Sequence, residues 1–145
     1  MPDGFELLEH DHRMVEALFD DYEQNGDDQI ADKICFELTV HGLIEEAELY
    51  PRLRDFGERT EEMADQAETQ HTLIKNYVGR VQALAGEDRV PEMEELWATV
   101  DAHVREEETD IFPEMRDLGV DPEELGRALE AAKAKAIAGS NDAPS

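Results

Sequence analysis

The sequence predicts an all-α fold, an antiparallel up-down-up-down bundle of four long helices with a short fifth helix at the C-terminal end. Three observations carry this. Apolar residues recur every three or four positions through four long stretches, the spacing of one buried face on a 3.6-residue helix. The stretches are joined by short segments rich in Gly, Asp and Pro, which suits antiparallel neighbours. The eleven residues 41–51, HGLIEEAELYP, return as residues 103–113, HVREEETDIFP, so the chain reads as two related helical hairpins.

The first helix is expected from about Phe5 to Glu23, with Leu8, His12, Val15, Phe19 and Tyr22 on one stripe. Asn25-Gly26-Asp27-Asp28 is a turn that supplies an Asp cap to the next helix. The second helix puts Ile34, Leu38, His41, Glu45 and Leu49 on one face and should end or kink at Pro51, leaving 51–60 as a loop. Thr60 is the expected cap of a third helix reaching Leu84, with Ala67, His71, Ile74, Val78 and Val81 inward. Pro91 suits the start of a fourth, which turns Met93, Leu96, Val100, His103, Glu107 and Ile111 inward. Asp121-Pro122 opens the short fifth helix through Leu125, Leu129 and Ala132. Residues 1–138 form one domain on this reading, and 139–145, GSNDAPS, a disordered tail.

Charge narrows the function classes. Thirty-eight acidic against 13 basic residues leave a net charge of −25, which repels phosphate backbones and anionic lipid. No nucleic-acid or membrane partner is expected. Cys35 is the only cysteine, so no intrachain disulfide or thiolate metal site can be built. The N-terminal residues lack a basic-then-apolar signal pattern, and no segment is apolar for long enough to span a bilayer, so a cytoplasmic location is expected.

The candidate site follows from residues standing in the wrong place. A single His-x-x-x-Glu is weak, because with 23 Glu in 145 residues a His meets one by chance roughly one time in six. The position is what matters. His12, His41, Glu45, His71, His103 and Glu107 all occupy places where the helical pattern requires an apolar core residue. Burying two unpaired carboxylates in one layer costs several kcal/mol, and cations are the natural compensation. Four imidazoles and two carboxylates suit iron, manganese or zinc. Two carboxylates serving two ions suggest bridges, and six protein ligands leave open positions for small exogenous ones. His10 lies off the stripe, Tyr22, Tyr50 and Tyr77 are expected to pack, with donation to a bound oxygen species the alternative, and Glu46, Glu106 and Glu108 are expected to be solvated. For Glu48 and Asp110, a role orienting an imidazole and plain surface exposure stand level.

The order His12, His41-x-x-x-Glu45, His71, His103-x-x-x-Glu107 on four helices resembles the hemerythrin-like (HHE cation-binding) domains over residues 5–115. The resemblance implies a non-haem di-iron centre bridged by Glu45, Glu107 and an oxo or hydroxo group. His12 and His41 would serve one iron, and His71 and His103 the other. The oxygen-carrying hemerythrins have a second His four residues beyond the third-helix His, where this chain has Lys75. They also have an Asp five residues beyond the last His; here Glu107 and Glu108 stand at four and five, and Glu107 shares the spacing of Glu45.

An iron lacking one imidazole is more open, which turns the expectation from reversible oxygen carriage towards reaction with hydrogen peroxide, O2 or nitric oxide in an oxidative or nitrosative stress role. The alternative is a non-catalytic carrier or sensor of O2 or iron with a reversible adduct, and a third reading is a bundle holding structural zinc. The expected partners are a small diatomic or peroxide ligand and an electron donor that the sequence does not name. The chain is expected to be a monomer or weak homodimer.

Overall fold

The computed structural model describes residues 2–141, and among these it is a helical bundle without strands. Helix α1 (Gly4–Asn25) is opened by Asp3, whose Oδ1 accepts from the backbone N–H groups of Phe5 and Glu6. It closes at Gly26, whose N–H donates to Tyr22 O. Asp27 caps α2 (Asp28–Ile44) by accepting from Gln29 N–H at 2.8 Å, so the expected turn and cap are both present. Helix α4 (Glu58–Ala83) and α5 (Val90–Glu106) form the second hairpin, joined through a 3-10 turn at Gly86–Arg89. The buried Arg89 guanidinium donates from Nε to Leu84 O and to Val81 O, which also accepts from Leu84 N–H, and so ties off the end of α4.

The rod of the second helix runs further than expected. Pro51 does not end its helix. Residues Glu45–Leu49 form a π-helical turn, in which Tyr50 N–H bonds Glu45 O five residues back, and α3 (Tyr50–Arg54) continues the rod. The second repeat does the same: a π turn at Glu107–Ile111 leads into α6 (Phe112–Asp117), with Phe112 N–H on Glu107 O. An α turn would press each proline ring against the carbonyl four residues back; the extra residue widens the turn and relieves that contact. The expected loop at 51–60 therefore shrinks to the turn before Glu58. Gly57 there has φ 130°, a conformation in which a side chain would be strained. Thr60 is not the cap of α4 but sits in its first turn, donating from its hydroxyl to Gly57 O.

Helix α7 (Pro122–Asn141) has 20 residues, longer than expected, and lies along α1 and α2. Its crossing of α1 is close: a Cβ on Gly126 would stand 2.2 Å from Pro2 O, and one on Gly4 2.5 Å from Leu125 Cγ. Residues 139–141 of the expected tail belong to this helix, and 142–145 lie outside the described residues.

The core divides into two apolar blocks. One, around Phe19, Ile34, Val78 and Leu96, fills the bundle towards the α1–α2 turn. The other, around Phe5, Leu8, Leu53 and Met115, fills the opposite end. Between them lies a layer of His12, His41, Glu45, His71, His103 and Glu107, each buried at 9% exposure or less. The helices α1, α2, α4 and α5 with their continuations thus run apolar, polar, apolar. Burial of each large apolar side chain contributes about 1.5–3 kcal/mol, which holds the polar layer in place.

Candidate metal centre

The structure brings all six expected residues together. The ligand-type atoms of His12, His41, Glu45 and Glu107 lie within 4.8 Å of one another, and so do those of Glu45, His71, His103 and Glu107. The two carboxylates belong to both groups, with one oxygen turned to each. Glu45 Oε2 is 3.2 Å from His41 Nε2 and Glu45 Oε1 is 3.0 Å from His71 Nε2. Glu107 Oε1 is 3.2 Å from His12 Nε2 and Glu107 Oε2 is 3.2 Å from His103 Nε2.

Each imidazole is fixed from outside by an acceptor on Nδ1. His12 Nδ1–H donates to Glu108 at 2.7 Å, His41 to Asp11 at 3.3 Å, and His71 to Glu46 at 3.1 Å. His103 donates to Gln70 Oε1 at 2.5 Å, and the amide of Gln70 is oriented by donating to Glu106 at 2.6 Å. The three carboxylates are themselves paired, Glu108 with Arg13, Asp11 with Lys133 at 3.0 Å and Glu46 with Lys75 at 2.9 Å. With the ring proton held on Nδ1, every Nε2 presents a lone pair inwards.

The lone pairs then face one another. His12 and His41 Nε2 are 3.2 Å apart, and His71 and His103 Nε2 are 3.0 Å apart. Glu45 Oε2 and Glu107 Oε1 are fully buried and have no hydrogen-bond partner. Such a convergence of unpartnered acceptors is repulsive unless positive charge lies between them. The donor set therefore fits a pair of cations.

The electrostatics agree. Burial alone would lower His41 and His103, but the Glu45 charge raises His41 well above the ordinary histidine range, and Glu107 pushes His103 up to about 10. Burial would raise Glu45, yet the surrounding imidazoles, His41 foremost, hold it well below the usual carboxylate range. The layer attracts positive charge at neutral pH, whether as protons or as metal.

Tyr50, for which packing was the expectation and a donor role the alternative, reaches into the layer. Its fully buried hydroxyl lies 2.8 Å from His71 Nε2, 2.9 Å from Glu107 Oε2, 3.3 Å from Glu45 Oε1 and 3.4 Å from His103 Nε2. One proton faces four acceptors. On a regular helix residues 45 and 50 would diverge by about 140°; the π turn brings both side chains into the layer. The signal in the sequence was Pro51, where an end or a kink of the helix is expected; a widened turn there is what redirects Tyr50. Phe112, the matching residue of the other repeat, stacks on the His12 ring at 6.1 Å and carries no polar atom.

The remaining assignments sort cleanly. Glu46 and Glu108, expected to be solvated, are the acceptors that orient His71 and His12. Glu48 instead pairs with Arg52 at 3.0 Å, and Asp110 is exposed. His10 is exposed, while Tyr22 and Tyr77 pack in the first apolar block. A cavity of about 280 Å³ opens between α2 and α4 and reaches all four imidazoles.

Comparison with known proteins gives the same picture. The family model described as the hemerythrin HHE cation-binding domain matches residues 3–115. A DNA nickase of Nostoc sp. is 30% identical over 139 residues, covering 90% of this chain and 39% of that protein. An uncharacterized hemerythrin-like protein of Schizosaccharomyces pombe is 25% identical over 142 residues, covering 93% of this chain and 70% of that protein. This chain thus spans well under half the length of the Nostoc relative. No solved structure matches.

Proposed function

From the premise that the chain belongs to the hemerythrin HHE cation-binding domain family, we propose that it holds two iron ions and reacts with small oxidants, namely hydrogen peroxide, O2 or nitric oxide. His12 and His41 would hold one ion and His71 and His103 the other, with Glu45 and Glu107 offering an oxygen to each. The observation that carries this is the pair of buried, partnerless carboxylate oxygens facing imidazole lone pairs. When bound, iron supplies electrons reversibly to a small oxidant and an open position at which to meet it.

The chain's own residues do the rest. Asp11, Glu46, Glu108 and Gln70 fix the tautomer and direction of each ring, so the inner nitrogens stay available as donors of electron density. The second apolar block, around Leu8, Leu53 and Met115, closes one end of the layer. Tyr50 holds a hydroxyl within hydrogen-bond reach of the His71–His103 side alone, where it can serve as a further ligand or keep a proton beside a bound oxidant. The cavity between α2 and α4 gives small molecules a route to the imidazoles.

On this reading the protein acts in an oxidative or nitrosative stress role in the cytoplasm, as a monomer or weak homodimer served by a separate electron donor. No helix of the described residues is long and apolar enough to cross a membrane. The DNA-nicking activity for which the Nostoc relative is named belongs to a longer protein, and a net charge of −25 opposes binding to a phosphate backbone.

The test is a visible absorption record on reduced, iron-loaded protein as O2, peroxide and nitric oxide are admitted in turn. Oxidation with turnover of at least one of them supports the proposal. An O2 adduct that forms and vanishes reversibly without turnover would replace it with a carrier or sensor. Elemental analysis finding zinc and no iron would replace it with a structural site.

A further inference from the structure

The cavity over the imidazoles is too large for the oxidants alone. A diatomic needs little more than the share of one water, about 30 Å³, whereas the cavity of about 280 Å³ has room for about nine such volumes. Its floor is the four histidines. Its walls are aliphatic, from Val15, Leu38, Ile74, Val78, Val100 and Val104. Its mouth is formed by the exposed residues Thr39, Leu43, Lys75, Gly79 and Gln82. Along α4 the lining runs from His71 to Gln82, which at 1.5 Å per residue is about 16 Å. The space is therefore long and narrow.

Charge selects among occupants. Lys75, the cation at the mouth, already pairs with Glu46 at 2.9 Å, and Glu46 also accepts from His71. The chain as a whole carries −25, so an anionic head group meets an unfavourable field with no free counter-charge among the mouth residues. A cationic one meets no carboxylate among those mouth residues and lies beside the Lys75 ammonium.

We propose that this cavity binds an uncharged, linear aliphatic molecule of about eight to ten non-hydrogen atoms, of the class of a medium-chain alcohol or aldehyde, lying along α4 above the histidine layer. The proposal rests on the metal-centre reading only for what the ligand meets at the floor; its size and polarity come from the walls and mouth. It adds an organic ligand to a site otherwise read as serving diatomics and peroxide.

Gly79 provides the test. It lines the mouth, and a Cβ built there meets nothing within 4 Å, so an added side chain starts in open space. Replacing a mid-helix glycine also favours the helix, so the Gly79→Leu protein should fold at least as well as the parent. The protein as purified is titrated calorimetrically with 1-octanol and with octanoate, and iron is measured in the same samples. The expected result is saturable one-site binding of octanol, at least tenfold weaker for octanoate, and at least tenfold weaker for octanol in Gly79→Leu. Absence of saturable octanol binding, equal binding of octanoate, or undiminished octanol binding in Gly79→Leu would each overturn the proposal. Octanol binding in protein that takes up no iron leaves the cavity assignment standing and removes the iron one; two irons without octanol binding does the reverse.

Discussion

The Tyr50 hydroxyl lies 2.8 Å from His71 Nε2, while its counterpart Phe112 stacks on the His12 ring with planes 5° apart. The two halves of the repeat are thus alike in their His and Glu residues and unlike in the aromatic that closes each of them. One cation position has an oxygen close by; the other has a hydrocarbon ring.

Replacing Tyr50 with Phe should make the halves more alike. The expected outcome is two metal ions still bound, with the weaker-held or altered one at the His71–His103 position and its affinity lower by about 10-fold, the size of effect typical for groups supporting a metal ligand. Stepwise iron titration with elemental analysis checks it. Unchanged affinities and an unchanged visible spectrum would remove Tyr50 from the site.

Lys133 acts on the centre from the fifth helix. It holds Asp11 at 3.0 Å, and Asp11 accepts from His41 at 3.3 Å. Lys133→Met should lower metal affinity by about 10-fold at the position served by His41, and Lys133→Arg should restore most of it. Equal affinity in all three proteins would show α7 to be packing alone.

The metal-free protein should lose stability as pH rises. His103 is raised in the folded state from its ordinary 6.5 to about 10, and His41 is raised too. A raised folded value means that the imidazolium contribution is complete below about 6.5 and is lost as pH climbs through about 10. Thermal unfolding across that range should show a falling midpoint for metal-free protein and little change for metal-loaded protein, whose imidazoles are held by the ion. Metal uptake displaces the same protons, so affinity should rise with pH over this window. A flat profile without metal would contradict the charge assignment.

Lys75→His places an imidazole one helical turn beyond His71 on the cavity wall. Iron-loaded protein carrying it should be oxidised by O2 more slowly than the parent in stopped-flow absorbance. An identical rate would put position 75 out of reach of the open position.

Deleting Ala47, an exposed residue of the first π turn, should restore a regular α turn and return the Pro51 ring to collision with the carbonyl four back. The expected cost is about 3 kcal/mol or more, with loss of metal as Tyr50 rotates out of the layer. An unaltered unfolding temperature would mean that the wide turn is not needed to accommodate the proline.

Much of the molecule is legible in the chain itself. A helix repeats its faces every 3.6 residues, so the apolar stripes and the six polar intruders upon them can be read from single stretches. His41 with Glu45, and His103 with Glu107, needed only i, i+4 spacing. The doubled segment related the halves, and the core positions demanded a charge to match the buried carboxylates. That is why the bundle and the six-residue layer follow from sequence.

What tertiary structure alone decided is how that layer is held. The acceptors on the four imidazoles come from other helices: Glu108 reaches His12 across 96 residues, Asp11 reaches His41 across 30, Gln70 reaches His103 across 33. Lys133 reaches Asp11 across 122. A helical repeat specifies which face a side chain occupies, not which residue of a neighbouring rod stands opposite, because that depends on how the rods are packed in depth and rotation. Tyr50 was hidden for a related reason. Its direction depends on one extra residue in a turn, and whether a proline breaks a helix or widens it is settled by the packing on both sides: here Leu49 and Leu53, buried in the second apolar block, keep the rod continuous through Pro51.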